Sequence, residues 1–175
     1  MQTFLPYTDF QKCAAVIDKK RSWKQVVECK QILCALNYSG APDDWKASLS
    51  WIKRPYLNHP AVKMWKGFED LLALYYNTFL KHAKEVLHIN TELKPLQNKP
   101  ITEYEKLLAR KDLSAATAPG KFPFWFFNED FHQAYRSRLI AKDPGYYRDT
   151  FPGDEGFNEG KYLWPDMATQ TYYII

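Results

Sequence analysis

The sequence lacks any long run of apolar residues, and its mean hydropathy is −0.51. Because a membrane-spanning helix needs about 20 consecutive apolar residues, we expect no membrane span. The first ten residues, MQTFLPYTDF, also lack the charged head and apolar core of a secretory signal peptide. These features predict a soluble protein of the cytoplasm.

Cysteine and glycine are scarce, and neither residue type occurs in a motif that binds a metal or a nucleotide. Cys13, Cys29 and Cys34 show no CxxC spacing, which argues against a zinc site or a disulfide framework. The seven glycines form neither GxGxxG nor GxxxxGK, and the motifs HExxH and GxSxG are absent. We therefore expect no metal, no cofactor, and neither a P-loop nor a Rossmann fold.

What the chain does have is enough apolar material for a core. Its 175 residues are 46% hydrophobic and 17% aromatic, which suits one domain spanning residues 1–175. The net charge of +4 permits an acidic partner without requiring one, because nucleic-acid binding depends on charge clustered on one face.

Apolar residues recur at helical spacing along most of the chain. Thr8 or Asp9 can cap a first helix, and a second helix is predicted over residues 22–36. The sequence Asn58-His59-Pro60 predicts the start of a long central helix that runs to about Leu87. Beyond Pro144 the chain is expected to be irregular. The prediction is an all-α fold: a single compact helical domain with a long central helix and an irregular C-terminal segment.

Two shorter helices are also predicted. One lies around Trp45, Leu49 and Ile52, and the other begins at a capping box formed by Thr102 and Glu105.

The stretch FHQAYRSRLIAKDPGYY, residues 131–147, reads as a helix that stops at Asp143-Pro144. The positions that repeat at four and should face the core are Phe131, Tyr135 and Leu139. His132, Arg136 and Lys142 fall to the side and the far end, and together they suit an anionic ligand such as a phosphate. The alternative is a basic helix face that is merely solvated.

A second polar cluster lies on one face of the earlier helix, where Arg21, Lys24, Gln25 and Glu28 follow at i, i+3, i+4 and i+7. Glu28 can serve as a general acid or electrostatic stabiliser, with Arg21 and Lys24 binding phosphates. The alternative is an exposed face with one Lys24–Glu28 ion pair, worth about 0.2–0.5 kcal/mol. Two such helices, each with basic residues beside a proton-transfer group, could line one cleft.

Two other features have both a structural and a functional interpretation. His59 at a helix start either caps that helix or helps to hold an anion there. The aromatic run at residues 124–127 belongs to the core, or else leaves one ring exposed to stack on a base.

Five segments together resemble one protein family. They are MQTFLPYTDF, KQVVECKQIL, LNHPAVKMWKGFE, HQAYRSRLIAKDPGYY followed by Phe151, and YLWP. The resemblance spans nearly the whole chain. It is to small bacterial and phage proteins grouped with the pyrimidine-dimer DNA glycosylases of the phage endonuclease V type.

The resemblance implies an all-helical protein that acts on damaged DNA. In such enzymes an N-terminal amine attacks the sugar C1′ to form an imine, a helix glutamate assists, and elimination then cuts the backbone. By resemblance the catalytic residues are Glu28, Met1 and His132. The substrate or phosphate ligands are Arg21, Lys24, Gln25, His59, Arg136, Ser137 and Lys142.

The sequence departs from the family pattern in four places. Val26 stands where the group commonly has a basic residue, and Tyr135 where it commonly has a second histidine. Gln2 is a large residue, so we expect Met1 to be retained, unlike the trimmed N-terminus of the phage enzyme. The insert over residues 94–121 looks specific to this chain.

These patterns leave three functions open. The leading one is a DNA-binding protein that cleaves the glycosidic bond of a damaged or modified base, with AP-lyase activity and damaged duplex DNA as its partner. The alternative is a non-catalytic module that binds a nucleotide or nucleic acid, with a regulatory or phage–host role. The third is a protein-interaction domain whose polar faces are solvated.

Overall fold

The computed structural model describes residues 2–48, 54–97, 104, 106 and 122–174. Helices dominate, which confirms the predicted all-α fold, and that residues 1–175 form one domain stays a prediction. The helices are α1 Phe10–Val16, α2 Lys19–Ala35, α3 Asp43–Ser48, α4 Arg54–Leu57, α5 Pro60–Lys63, α6 Glu69–Glu85, α7 Glu129–Lys142 and α8 Pro144–Tyr147. They are followed by a 3₁₀ helix, Phe157–Gly160, and by the strands β1 Leu163–Asp166 and β2 Thr171–Ile174.

Aspartate side chains begin the first two helices. Asp9 accepts hydrogen bonds from the backbone of Gln11 and Lys12, so it is the cap of α1 and Thr8 is not. Asp18 accepts from the backbone N–H of Arg21 at 3.0 Å, so α2 begins three residues before the predicted start. The apolar spacing predicts the helix itself, whereas the position of the Asp18 cap sets its first residue.

The centre of the molecule is the packing of α2 and α1 against α6. The apolar stripe of α1 is buried, since Phe10, Cys13 and Ala14 are no more than 1% exposed. On α6, Tyr75 and Phe79 are fully buried and their ring centroids lie 4.4 Å apart. This core provides the rigid support for the first residues of the chain.

The predicted long central helix is broken into α5 and α6. Gly67 lies between them with φ +86, a left-handed conformation that favours glycine, and its N–H donates to Glu69 Oε1 at 2.9 Å. The apolar spacing continues through Trp65 and Phe68, so periodicity alone does not reveal the break.

The C-terminal segment is not irregular as predicted, because its last residues form an antiparallel hairpin of β1 and β2. Asp166 holds the turn by accepting from the N–H groups of Ala168 and Thr169 at 2.9 and 3.4 Å. The turn contains no glycine or proline, so it carries no strong sequence signal. The 3₁₀ helix and β1 pack against α7.

The aromatic run before α7 belongs largely to the interior. Trp125 and Phe126 are fully buried, and the partly buried Phe124 packs against Tyr172 at a centroid distance of 5.3 Å. Asn128 caps α7 as its sequence position suggests, accepting from the N–H of Phe131 at 2.9 Å. The run therefore serves as core rather than as an open stacking platform.

Several predictions fall outside the described residues: Leu49 and Ile52 of the third helix, and the capping box of Thr102 and Glu105. Most of the insert at 94–121 does so too. Within the described ranges, no helix is long and apolar enough to cross a membrane.

Candidate active site at the amino end of the chain

The first residues of the chain run along one face of α2. The backbone N–H of Gln2 donates to Glu28 Oε2 at 2.6 Å, and the N–H of Phe4 donates to Gln25 Oε1 at 2.8 Å. Gln25 and Glu28 are three residues apart on the helix, so they meet alternate residues of the extended segment. Gln2, the first described residue, therefore lies at the Glu28 carboxylate.

Glu28 is a buried acid whose two carboxylate oxygens have different partners. The residue is 8% exposed, whereas the side chain of Lys24 is 66% exposed and its Nζ lies 3.5 Å from Glu28 Oε1. Oε2 accepts from a backbone N–H, and Oε1 lies beside this cation. The structure thus contains the predicted Lys24–Glu28 pair, and its lysine is largely exposed to solvent.

The C-terminal half of α7 brings two further cations to this region. Arg138 and Lys142 both lie over the ring of Tyr162, with the Arg138 Cζ 5.0 Å and the Lys142 Nζ 6.0 Å from the ring centroid. Partial burial lowers the pKa of Lys142, and the neighbouring Arg138, Arg21 and Lys24 lower it further. Because like charges at one place disfavour each other, the arrangement favours an anion between them.

Three buried polar groups meet at this place: the side chains of Gln2, Arg138 and Tyr162. Burial raises the pKa of Tyr162, and the side chains of Arg138 and Gln2 oppose that rise because they lie within hydrogen-bonding reach of its hydroxyl. The three groups therefore satisfy one another in part, and the positive charges of Arg138 and Lys142 beside them are what favours an anion here.

Arg21 connects α2 to the end of α7. Its Nη1 lies 2.6 Å from Asp18 Oδ2 and 3.2 Å from Asp143 Oδ2, and its guanidinium lies over the ring of Tyr147. Two carboxylates thus compensate its charge. This geometry favours a role in holding the two helices together over the predicted role in phosphate binding.

His59 uses its side chain as a helix cap. Its Nδ1 accepts from the N–H of Ala61 at 3.1 Å, and burial lowers its pKa. Its ring meets Trp164 edge-on at a centroid distance of 6.1 Å. The capping interpretation of His59 is therefore the one the geometry supports.

His132 and Arg136 do not join Lys142, and the predicted cluster of the three is not formed. His132 is 1% exposed, with Nδ1 2.8 Å from Leu5 O and Nε2 2.8 Å from Phe126 O. It is enclosed by backbone carbonyls, away from Glu28. Burial lowers the pKa of His132, although both carbonyls favour the protonated ring.

The side chain of Arg136 also makes its contacts within the protein. Its Nε lies 2.6 Å from Asp154 Oδ2, its Nη2 2.5 Å from Glu129 Oε1, and its Nη1 donates to Pro6 O at 2.8 Å. Each of the three guanidinium nitrogens thus has a partner, and two carboxylates balance the charge. Because the residue is also only 8% exposed, the geometry disfavours the predicted phosphate contact of Arg136.

Two more predicted ligands are buried. Gln25 is fully buried, with Oε1 accepting from the Phe4 N–H and Nε2 donating to Arg21 O at 3.3 Å. Ser137 is 1% exposed, which removes its hydroxyl from any surface ligand. Met1, the predicted nucleophile, lies outside the described residues.

Sequence reasoning missed Arg138, Tyr162 and Gln2. A signal was available, since Tyr135, Arg138 and Lys142 follow at i, i+3 and i+7 and so share a helix face. Tyr135 shares that face and belongs to the core, so the spacing alone indicates a buried face rather than a binding site. In the described residues, no group of three or more His, Cys, Asp or Glu side chains could hold a metal ion.

Comparison with known proteins agrees with the resemblance seen in the sequence. A family model described as pyrimidine dimer DNA glycosylase matches residues 1–94, more than half of the 175-residue chain. The match includes the amino-terminal residues, α1, α2 and α6, whereas Arg138 and Lys142 lie beyond it. No curated protein and no solved structure matches the chain. The predicted relationship is confirmed: the chain belongs to the pyrimidine dimer DNA glycosylase family.

Proposed function

We propose that this protein is a DNA glycosylase with associated AP-lyase activity, acting on a damaged or modified nucleotide in duplex DNA. Its family makes DNA the expected partner. The observation that carries the proposal is the 2.6 Å contact between the Gln2 backbone nitrogen and the buried Glu28 carboxylate. An amine beside a carboxylate is the pair of groups that imine chemistry at a sugar requires.

The attacking group is the amine at the start of the chain. If Met1 is retained, as the large Gln2 side chain suggests, its nitrogen is one residue from the Gln2 nitrogen, or at most about 3.6 Å. If Met1 is removed, the Gln2 nitrogen itself is the amine and already touches Glu28. Both cases put the amine within reach of the same carboxylate.

The chemistry then proceeds in two stages. The bond from C1′ to the base breaks, the electron pair of that bond leaves with the base, and the base takes up a proton from water. The ionised Glu28 stabilises the positive charge that develops at C1′ while the neutral amine bonds there, and Glu28 then accepts the proton that the amine releases. Glu28 passes this proton to the ring oxygen as the sugar ring opens to a protonated imine. The restored Glu28 carboxylate removes a C2′ proton, and the electrons of that C–H bond expel the 3′ phosphate and cut the strand.

The cations around Glu28 supply the contacts to the DNA backbone. Arg138 and Lys142 form no ion pair with a carboxylate of the described residues, and Lys24 is exposed. The positively charged side chains of Lys24, Arg138 and Lys142 then contact phosphate oxygens. Such contacts help to offset the few kcal/mol needed to extrude a nucleotide from the duplex.

Borohydride trapping tests the proposal. The protein is incubated with duplexes that contain an abasic site, a pyrimidine dimer or another modified base, and borohydride reduces any imine to a stable adduct. We expect an adduct with wild-type protein, and none after chemical acetylation of the terminal amine. Glu28→Gln should abolish turnover and spare binding, whereas Glu85→Gln, at the exposed end of α6, should behave as wild type.

Each alternative function gives a different result. Binding to DNA or a nucleotide without any trapped adduct would refute the enzymatic proposal and favour a non-catalytic binding module. Neither binding nor trapping would favour a protein-interaction domain. Mass spectrometry of the reduced adduct identifies whether Met1 or Gln2 carries the sugar.

A further inference from the structure

The N-terminal segment, residues 2–8, is held in an unusual way. It contains no helix or strand, although Thr3 and Leu5 are fully buried. Buried peptide groups must find hydrogen-bond partners, and here side chains provide them. The bonds are Phe4 N–H to Gln25 Oε1 at 2.8 Å, Tyr75 Oη–H to Phe4 O at 2.7 Å, His132 Nδ1 with Leu5 O at 2.8 Å, and Arg136 Nη1–H to Pro6 O at 2.8 Å.

The four side chains come from three different helices. Gln25 belongs to α2, Tyr75 to α6, and His132 and Arg136 to α7. None of them is more than 8% exposed. A shift of the segment by one residue would break all four bonds at once, so together these helices fix its register.

Arg136 is suited to this role for a geometric reason. Asp154 and Glu129 hold two of its nitrogens, which leaves Nη1 aimed at Pro6 O. A lysine has no planar fork and cannot hold these three directions at once. The two carboxylates thus orient a donor whose third contact is the N-terminal segment.

The segment ends at the candidate active site. Two residues before Phe4, the Gln2 nitrogen meets Glu28 at 2.6 Å, and the Thr3 hydroxyl accepts from Trp65 Nε1 at 2.9 Å. Every residue from 2 to 6 is therefore fixed by at least one side chain. These contacts fix the position of the Gln2 nitrogen beside Glu28.

We propose that Gln25, Tyr75, His132 and Arg136 are positioning residues, which hold the N-terminal segment so that the terminal amine stays beside Glu28. This inference rests on the proposed function. The four side chains are buried, which keeps them from direct contact with a bound duplex. They act through the peptide groups of residues 4–6, and a displacement of the amine by about 1 Å can cost on the order of 10²-fold in rate.

The test separates the rate of imine formation from DNA affinity. Single-turnover borohydride trapping is measured with enzyme in excess on an abasic duplex. The dissociation constant is measured separately on a duplex with a tetrahydrofuran abasic analogue, which cannot form an imine. Tyr75→Phe and Arg136→Lys are compared with Tyr38→Phe, which removes a hydrogen bond to Asp70 far from the N-terminal segment.

We expect Tyr75→Phe and Arg136→Lys to slow trapping about tenfold or more with less than about a twofold change in the dissociation constant. Tyr38→Phe should leave both unchanged. Tyr75→Phe removes only the phenolic hydroxyl, so it keeps the test decisive if Arg136→Lys does not fold.

Wild-type rates in both folded variants would overturn the inference and leave the proposed function intact. Absence of trapping with the wild-type protein would instead refute the proposed function, and the positioning role would fall with it.

Discussion

Arg136 and Arg138 are two residues apart on α7, yet the structure assigns them opposite roles, and their variants should separate those roles. Arg136 is 8% exposed, and its partner Asp154 has a side chain that is only 14% exposed. Arg138 is partly exposed and donates to Gly160 O at 3.2 Å, with no carboxylate partner among the described residues. Stability should therefore depend on Arg136, and DNA affinity on Arg138.

The burial of the two carboxylate partners sets the expected loss of stability in Arg136→Gln. Arg136→Gln leaves the Asp154 carboxylate nearly buried without its cation, which costs about 3–5 kcal/mol for a buried pair. Because the other partner, Glu129, is 74% exposed, the lower end of that range applies. For a chain of this length, about 3 kcal/mol lowers the melting temperature by about 6–12 °C.

Arg138→Gln should have little effect on stability and a clear effect on DNA binding. Loss of one phosphate contact reduces the slope of log affinity against log salt concentration by about 0.9. The melting temperature should change by no more than about 2–4 °C, as for a loss of about 1 kcal/mol.

Thermal unfolding followed by circular dichroism measures the melting temperature. Fluorescence anisotropy titrations of a damaged duplex at several salt concentrations measure DNA affinity and its salt dependence. Should Arg136→Gln keep its melting temperature while reducing the salt slope, the roles would be reversed and the assignment of the site to Arg138 would be wrong.

Two further predictions concern stability. Burial lowers the pKa of His132, so the unfolded chain takes up the proton more readily. The free energy of unfolding should fall as the pH drops below about 6.5, by at most about 1.4 kcal/mol per pH unit for this group. Urea titrations at pH 7.5 and 5.5 measure it, and an equal pH dependence in His132→Gln would contradict the assignment. Gly67→Ala places alanine at φ +86 and should lower the free energy of unfolding by about 1–2 kcal/mol, measured by urea titration. Gly145→Ala, in α8 with ordinary φ, is the control, and equal losses in both would refute the backbone explanation.

Much of the helical framework could be read from the sequence. The stripe of Phe10, Cys13 and Ala14 predicts α1, and apolar spacing predicts α2, α7 and most of α6, because a helix buries one face at a fixed period. The Asp9 and Asn128 caps are local signals of the same kind. Periodicity could not reveal the break at Gly67, since the apolar pattern continues across it.

The hairpin of β1 and β2 could not be predicted from the sequence, for a different reason. Its turn is held by the Asp166 side chain rather than by glycine or proline, and its strands have four residues each. It forms next to α7 and β1 packs against that helix. Such a short ribbon depends on tertiary packing, which no local pattern records.

For the site, the sequence by itself determined which residues carry charge, that Lys24 can reach Glu28 along one helix, and that the amino-terminal residues resemble those of a glycosylase family. Only the tertiary structure decided which cations remain free. Asp154, Glu129 and the carbonyl of Pro6 bind the guanidinium of Arg136, whereas Arg138 and Lys142 meet at Tyr162 and pair with no carboxylate of the described residues. The physical reason is that a side chain's availability depends on the groups it meets across the fold, and those contacts span more than a hundred residues between Pro6 and Arg136.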